Sequence, residues 1–146
     1  MNALELRTFG AVLRFALELE AGATVFYKSA LGHATNPKLK QLSEALIERG
    51  EKRVQLLMRL RRENTTEMLL EPIAGLDSEK FRPQTELPKE ADDAGLTQLA
   101  SVMETKLQAF YTAAARKVNF LSEAAGAFER LAEENTENAR RLQTPG

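Results

Sequence analysis

The chain has 146 residues, 43% of them apolar, and a formal net charge of -1 at pH 7, so it is expected to form one domain with a real core and lacks the charge to bind nucleic acid by electrostatics alone. It contains no cysteine and a single histidine, His33, which excludes disulfides, iron–sulfur clusters, thiolate zinc sites, a cysteine nucleophile and paired-imidazole metal sites within the chain. No segment approaches the roughly 20 continuous apolar residues of a membrane span, and an N-terminus with an early Glu5 and no small-residue cleavage pattern does not read as a secretory leader; the expected compartment is the cytoplasm.

Four long segments carry an apolar period near 3.5 to 3.6 and almost nothing alternates with period two, which predicts an all-α protein. The first helix is predicted over residues 3–31, with Gly32 where a left-handed C-cap would stop it. Asn36 followed by Pro37 supplies an N-cap and a first-turn proline for a second helix reaching about residue 62. The short connection makes these two helices antiparallel neighbours. Over residues 64–93 the pattern breaks at Pro72, Gly75, Pro83 and Pro88. An extended chain of that length reaches on the order of 100 Å, against roughly 38 Å for a 25-residue helix. It is therefore predicted to cross the bundle and set the second and third helices parallel. Met68, Leu69, Leu70, Ile73 and Leu76 argue that this crossover packs on the bundle. Asp92 or Asp93 is expected to cap the third helix, which reaches about residue 118; a turn at Asn119 leads to a fourth helix ending near Leu142. Thr144, Pro145 and Gly146 read as a frayed end. All of residues 1–146 then form one domain.

Two stretches repeat each other: Ala16, Glu20, Phe26, Tyr27 and Ala30 match Ala100, Glu104, Phe110, Tyr111 and Ala114. A repeat of that length means two copies of one helical unit. Alternating steps of four and three pick out the inward seam of each helix. The first seam contains Glu20 and Tyr27, the third Glu104 and Tyr111, the second Gly50 and Arg53, and the fourth Asn135 and Asn138. Folding each hairpin about its turn brings Glu20 level with Gly50 and Glu104 level with Asn135. Glu20, Arg53, Glu104, Asn135 and Asn138 are thus predicted to share one buried polar layer.

The repeat, the Phe-Tyr pairs and the segments LIERGEKRVQLL and LAEENTENARRL resemble the ferritin-like superfamily, specifically rubrerythrin-like proteins. The resemblance covers nearly the whole chain and implies a four-helix bundle of two helical hairpins joined by a long crossover. It also implies two irons held by one Glu from each of the first and third helices and a Glu-x-x-His from each of the others, for peroxide or dioxygen chemistry or iron oxidation. Glu20 and Glu104 match the single glutamates. Aligning Leu46 with Leu131 and Leu57 with Leu142 puts Gly50 and Asn135 where the family has its other glutamates, and Arg53 and Asn138 where it has histidines. Using Glu48, Glu51 or Glu137 instead rotates the side chain about 100° off the seam.

Two facing carboxylates in a low-dielectric core need a cation or strong donors, since uncompensated burial costs several kcal/mol per ion. Arg53 brings a fixed positive charge on the same seam, Asn135 and Asn138 bring amide donors, and Tyr27 and Tyr111 bring hydroxyls. Gly50, unfavourable in a helix interior, is expected to make room for Arg53 or for water. His33 reads as a solvated turn residue, and Lys52, Arg59, Arg61 and Arg62 among Glu48, Glu51 and Glu63 as a solvated helix face. No phosphate loop, nucleophile elbow or Ser/His/Asp set is present. The expectation is a bundle that has lost di-iron catalysis, binds no cofactor, and has a structural, binding or regulatory role. The competing expectation is an oxidoreductase or iron-handling protein that binds iron or another divalent metal through Glu20 and Glu104. Val12, Phe15 and Leu19 beside the first seam point to a homodimer; no protein partner is indicated.

Overall fold

A computed structural model describes residues 4–64 and 72–143. Its four helices are α1 (Phe9–His33), α2 (Pro37–Glu63), α3 (Asp93–Lys117) and α4 (Ser122–Gln143), with a 3-10 turn over Ser78–Phe81. The described residues hold no strand; their one β-bridge joins Glu5 to Asp77. Each of α1–α2 and α3–α4 packs along its length, which gives a four-helix bundle of two hairpins.

The helix ends follow from local capping. Asn36 Oδ1 accepts from the amides of Lys38 and Leu39 ahead of Pro37, as its position predicts. Of the two candidate aspartates at α3, Asp92 is the cap, accepting from Gly95 N at 2.8 Å. Asp93 does something else: its carboxylate accepts from Thr35 N, Thr35 Oγ1 and Asn36 N. That contact ties the α1–α2 turn to the start of α3. Because α2 and α3 therefore begin at the same end of the bundle, they run parallel.

Two predicted boundaries differ. Helix α1 starts at Phe9, six residues later than expected, because Thr8 Oγ1 caps Ala11 N and residues 4–7 lie outside the helix. Their backbone is taken by the crossover: Leu6 N donates to Leu76 O, Ile73 N to Arg7 O and Ser78 N to Leu4 O. At the other end, the helix runs through Gly32 to His33, and Ala34 leaves it in an extended conformation with its N–H on Ala30 O. Gly32 is thus no left-handed cap. Among the described residues the one glycine at positive φ is Gly75 (78°), where the crossover turns.

The crossover packs where the sequence placed it. Ile73 and Leu76 are buried; Met68, Leu69 and Leu70 lie outside the described residues, as do Thr144, Pro145 and Gly146. Phe81 stacks edge-on against Phe110, which in turn meets Phe15 at 5.2 Å. Arg82 lies over the Phe15 ring and bonds Glu18 and Glu79. Val12, Phe15 and Leu19 are consequently buried within the chain itself, so their apolar character is accounted for without a second subunit.

Candidate functional site

Seven helical steps place Tyr27 on the same face as Glu20, and Tyr111 on the same face as Glu104. All four side chains are buried, together with Arg53 and Asn135. Each tyrosine serves the opposite copy of the repeat: Tyr27 donates to Glu104 Oε2 at 2.6 Å, and Tyr111 to Glu20 Oε2 at 2.5 Å. The crossing follows from antiparallel α1 and α3, which bring the end of one seam beside the middle of the other.

Arg53, 2% exposed, donates through Nη1 to Glu20 Oε2 and Asn135 Oδ1, both at 3.2 Å, and through Nη2 to Leu131 O and Glu134 Oε1. Asn135 Nδ2 then donates to Glu104 Oε1 at 2.9 Å. The network is therefore continuous from Tyr111 through Glu20, Arg53, Asn135 and Glu104 to Tyr27. Arg53 also lies over the Tyr111 ring at 5.5 Å, a cation–π contact.

The sequence reading missed Arg49. Its two terminal nitrogens engage both oxygens of Glu104, at 2.5 and 3.0 Å, in the bidentate fork that suits a carboxylate. Position 49 stands at the edge of the seam, four residues before Arg53 and about 40° from it around the helix, and its long side chain curls inward until 11% of it is exposed. The signal was charge balance: two buried acids require two cations, and the seam offered one. With Arg49 included, two carboxylates face two guanidiniums and the layer is formally neutral.

Two expectations are corrected. Asn138 does not join the layer; it is partly buried, its Nδ2 bonds back to Glu134 O one turn earlier, and its Oδ1 accepts from Arg141. Position 138 lies three residues beyond Asn135 and about 60° around the helix from it, at the edge of the seam, where a short amide bonds its own helix backbone instead of reaching the axis. Gly50 does not make room for Arg53 or for water. A Cβ there would stand 2.3 Å from Thr24 Oγ1, so the glycine permits close approach of α1 to α2. His33 is exposed, as expected, with Nδ1 2.9 Å from Ser29 O. Lys52, Arg59, Arg61 and Arg62 are exposed too.

Electrostatics in the layer follow from burial. Removal from water pushes both phenols well above their ordinary range, and the neighbouring carboxylate charge, Glu104 for Tyr27 and Glu20 for Tyr111, pushes in the same direction. Arg49 is held above its ordinary value: burial alone would lower it, and the charge of Glu104 overrides that. Glu20 Oε1, Arg49 Nε and Arg53 Nε are buried without a hydrogen-bond partner.

As a metal site this donor set is a poor fit. Both oxygens of Glu104 already accept from a guanidinium, Glu20 Oε2 does likewise, and cations stand beside each acid where a metal would bring its own charge. Among the described residues no group of three His, Cys, Asp or Glu side chains is placed to hold a metal ion. Nor is any helix among them long and apolar enough to cross a membrane. No protein-family model matches the chain, and no curated protein matches it in sequence.

Proposed function

We propose that this protein is a rubrerythrin-like bundle in which an internal ion-pair layer has taken the place of a di-iron centre, leaving a cytoplasmic scaffold with a structural, binding or regulatory role. The observation that carries the reading is the pairing of Glu20 with Arg53 and of Glu104 with Arg49. Guanidiniums supply the compensation that buried carboxylates require, so the acids need no metal to remain in the core. Self-association belongs to the same proposal, with an interface elsewhere than Val12, Phe15 and Leu19.

The competing reading, a metal-binding oxidoreductase using Glu20 and Glu104, has one observation in its favour: Glu20 Oε1 is buried without a partner. Metal analysis of protein purified without chelator separates the two. Iron, manganese and zinc are expected well below one ion per chain. The chain's two tyrosines both contact the acids, and it has no tryptophan, so tyrosine fluorescence reports on this layer directly. Anaerobic addition of ferrous iron should leave it unchanged. Stoichiometric metal that is lost in Glu20→Gln and Glu104→Gln variants would establish the oxidoreductase class instead.

A further inference from the structure

The two hairpins leave α2 and α4 without close packing, and between them lies a groove of about 440 Å³. Leu46, Leu56 and Leu131 give it apolar walls, and Arg49 and Arg53 line it from the core side. Arg53 already holds a carboxylate on this side. Glu134 sits on the groove, 57% exposed, and its Oε1 accepts from Arg53 Nη2 at 3.1 Å.

The way Glu134 binds leaves a vacancy in hydrogen bonding. A guanidinium takes a carboxylate in a bidentate manner either across its two terminal nitrogens or along the edge formed by Nε and Nη2. Arg53 Nη1 is committed inward to Glu20 and Asn135. On the Nε/Nη2 edge, Nη2 serves Leu131 O and Glu134, while Nε is buried with no partner. Glu134 thus uses half of a two-point anion site, and leaving the other half unpaired is costly.

We propose that the α2–α4 groove binds a small monocarboxylate with a short apolar chain. Its carboxylate displaces the half-exposed Glu134, accepts from both Nε and Nη2 of Arg53, and lays its chain against Leu46, Leu56 and Leu131. The walls select this class: the Nε/Nη2 edge of Arg53 takes one carboxylate and the three leucines take a short apolar chain, while Lys52 and Arg141 on the same groove stand against Glu48 and Glu134. The inference rests on the proposed scaffold role only through the Glu20–Arg53 pair.

The test is a titration of nitrogen-15-labelled protein with sodium acetate, butyrate and hexanoate at constant ionic strength, following the Arg53 Nε–H resonance, which Arg53→Lys identifies by its disappearance. Saturable shifts are expected, tightening by about fourfold for each methylene the groove buries, and sodium chloride alone should not reproduce them. Glu134→Ala, which removes the internal competitor at an exposed position, should bind hexanoate several-fold more tightly. The wild-type titration decides the matter even if that variant folds poorly. Absence of a saturable shift in wild type and variant overturns the proposal, as does phosphate binding at least as tightly as hexanoate with no dependence on chain length. Failure here leaves a metal-free bundle standing, whereas stoichiometric metal, read by metal analysis of the purified protein before any titration, sinks that reading.

Discussion

Replacing Arg53 by Ala removes four hydrogen bonds at once: to Glu20, Asn135, Leu131 O and Glu134. The bond to the exposed Glu134 is screened by water and adds little. The cost lies in Glu20, which is fully buried and already has one oxygen without a partner; after the change its only remaining donor is Tyr111. Breaking a buried pair by removing one member costs about 3 to 5 kcal/mol, because an uncompensated charge stays behind. For a chain of this size that corresponds to a fall in Tm of roughly 10 °C. The measurement is urea unfolding at pH 7, followed by circular dichroism and by tyrosine fluorescence, with coincident transitions confirming two-state behaviour. A triple replacement, Glu20→Leu with Arg53→Met and Tyr111→Phe, removes the buried ion pair and its tyrosine hydroxyl and leaves only the exposed Glu134 charged on that side. It should recover most of the loss, since apolar side chains of similar volume often equal a buried ion pair in stability. Arg53→Ala within about 0.5 kcal/mol of wild type, the range of ordinary surface substitutions, refutes the reasoning.

Two further outcomes test the geometry. Gly50→Ala gains up to about 1 kcal/mol of helix propensity but forces a Cβ onto Thr24 Oγ1, and overpacking costs about 1 to 3 kcal/mol, so the single variant should be less stable than wild type. With Thr24→Ala beside it the clash disappears and the double variant should exceed Gly50→Ala in urea midpoint; equal midpoints would refute the close approach. Tyr27 and Tyr111 have folded-state pKa values raised above that of an unfolded tyrosine, so their contribution is complete below about pH 10 and is lost as pH rises beyond it. Alkaline titration should therefore show tyrosinate absorbance appearing together with loss of helix, and Tyr27→Phe with Tyr111→Phe should flatten the stability slope above about pH 10; tyrosinate forming in the folded protein would contradict this.

Much of the site was legible because helical periodicity is a property of the sequence alone. The repeat placed Glu20, Glu104, Tyr27 and Tyr111 on inward faces, and hairpin folding put Arg53 and Asn135 at their depth; all six are buried. Asn138 satisfied the same rule and fails it in space, because its amide bonds to its own helix. Arg49 broke the rule and is in the layer, because a long side chain is not bound to the direction of its Cβ. Periodicity assigns backbone positions to faces, and at the edge of a face the length of the side chain decides where its end group lies.

The pattern of apolar residues and caps determined on its own that four helices form and that the middle connection spans the bundle, since propensity, capping and period are local and need no partner. Thr8 caps α1 locally, but tertiary structure alone decided that residues 4–7 give their backbone to the crossover instead of extending that helix. It alone decided that Val12, Phe15 and Leu19 are covered from within and that a second arginine neutralises the acidic pair. Each of these depends on which surface lies opposite, a long-range fact that no window of local sequence contains.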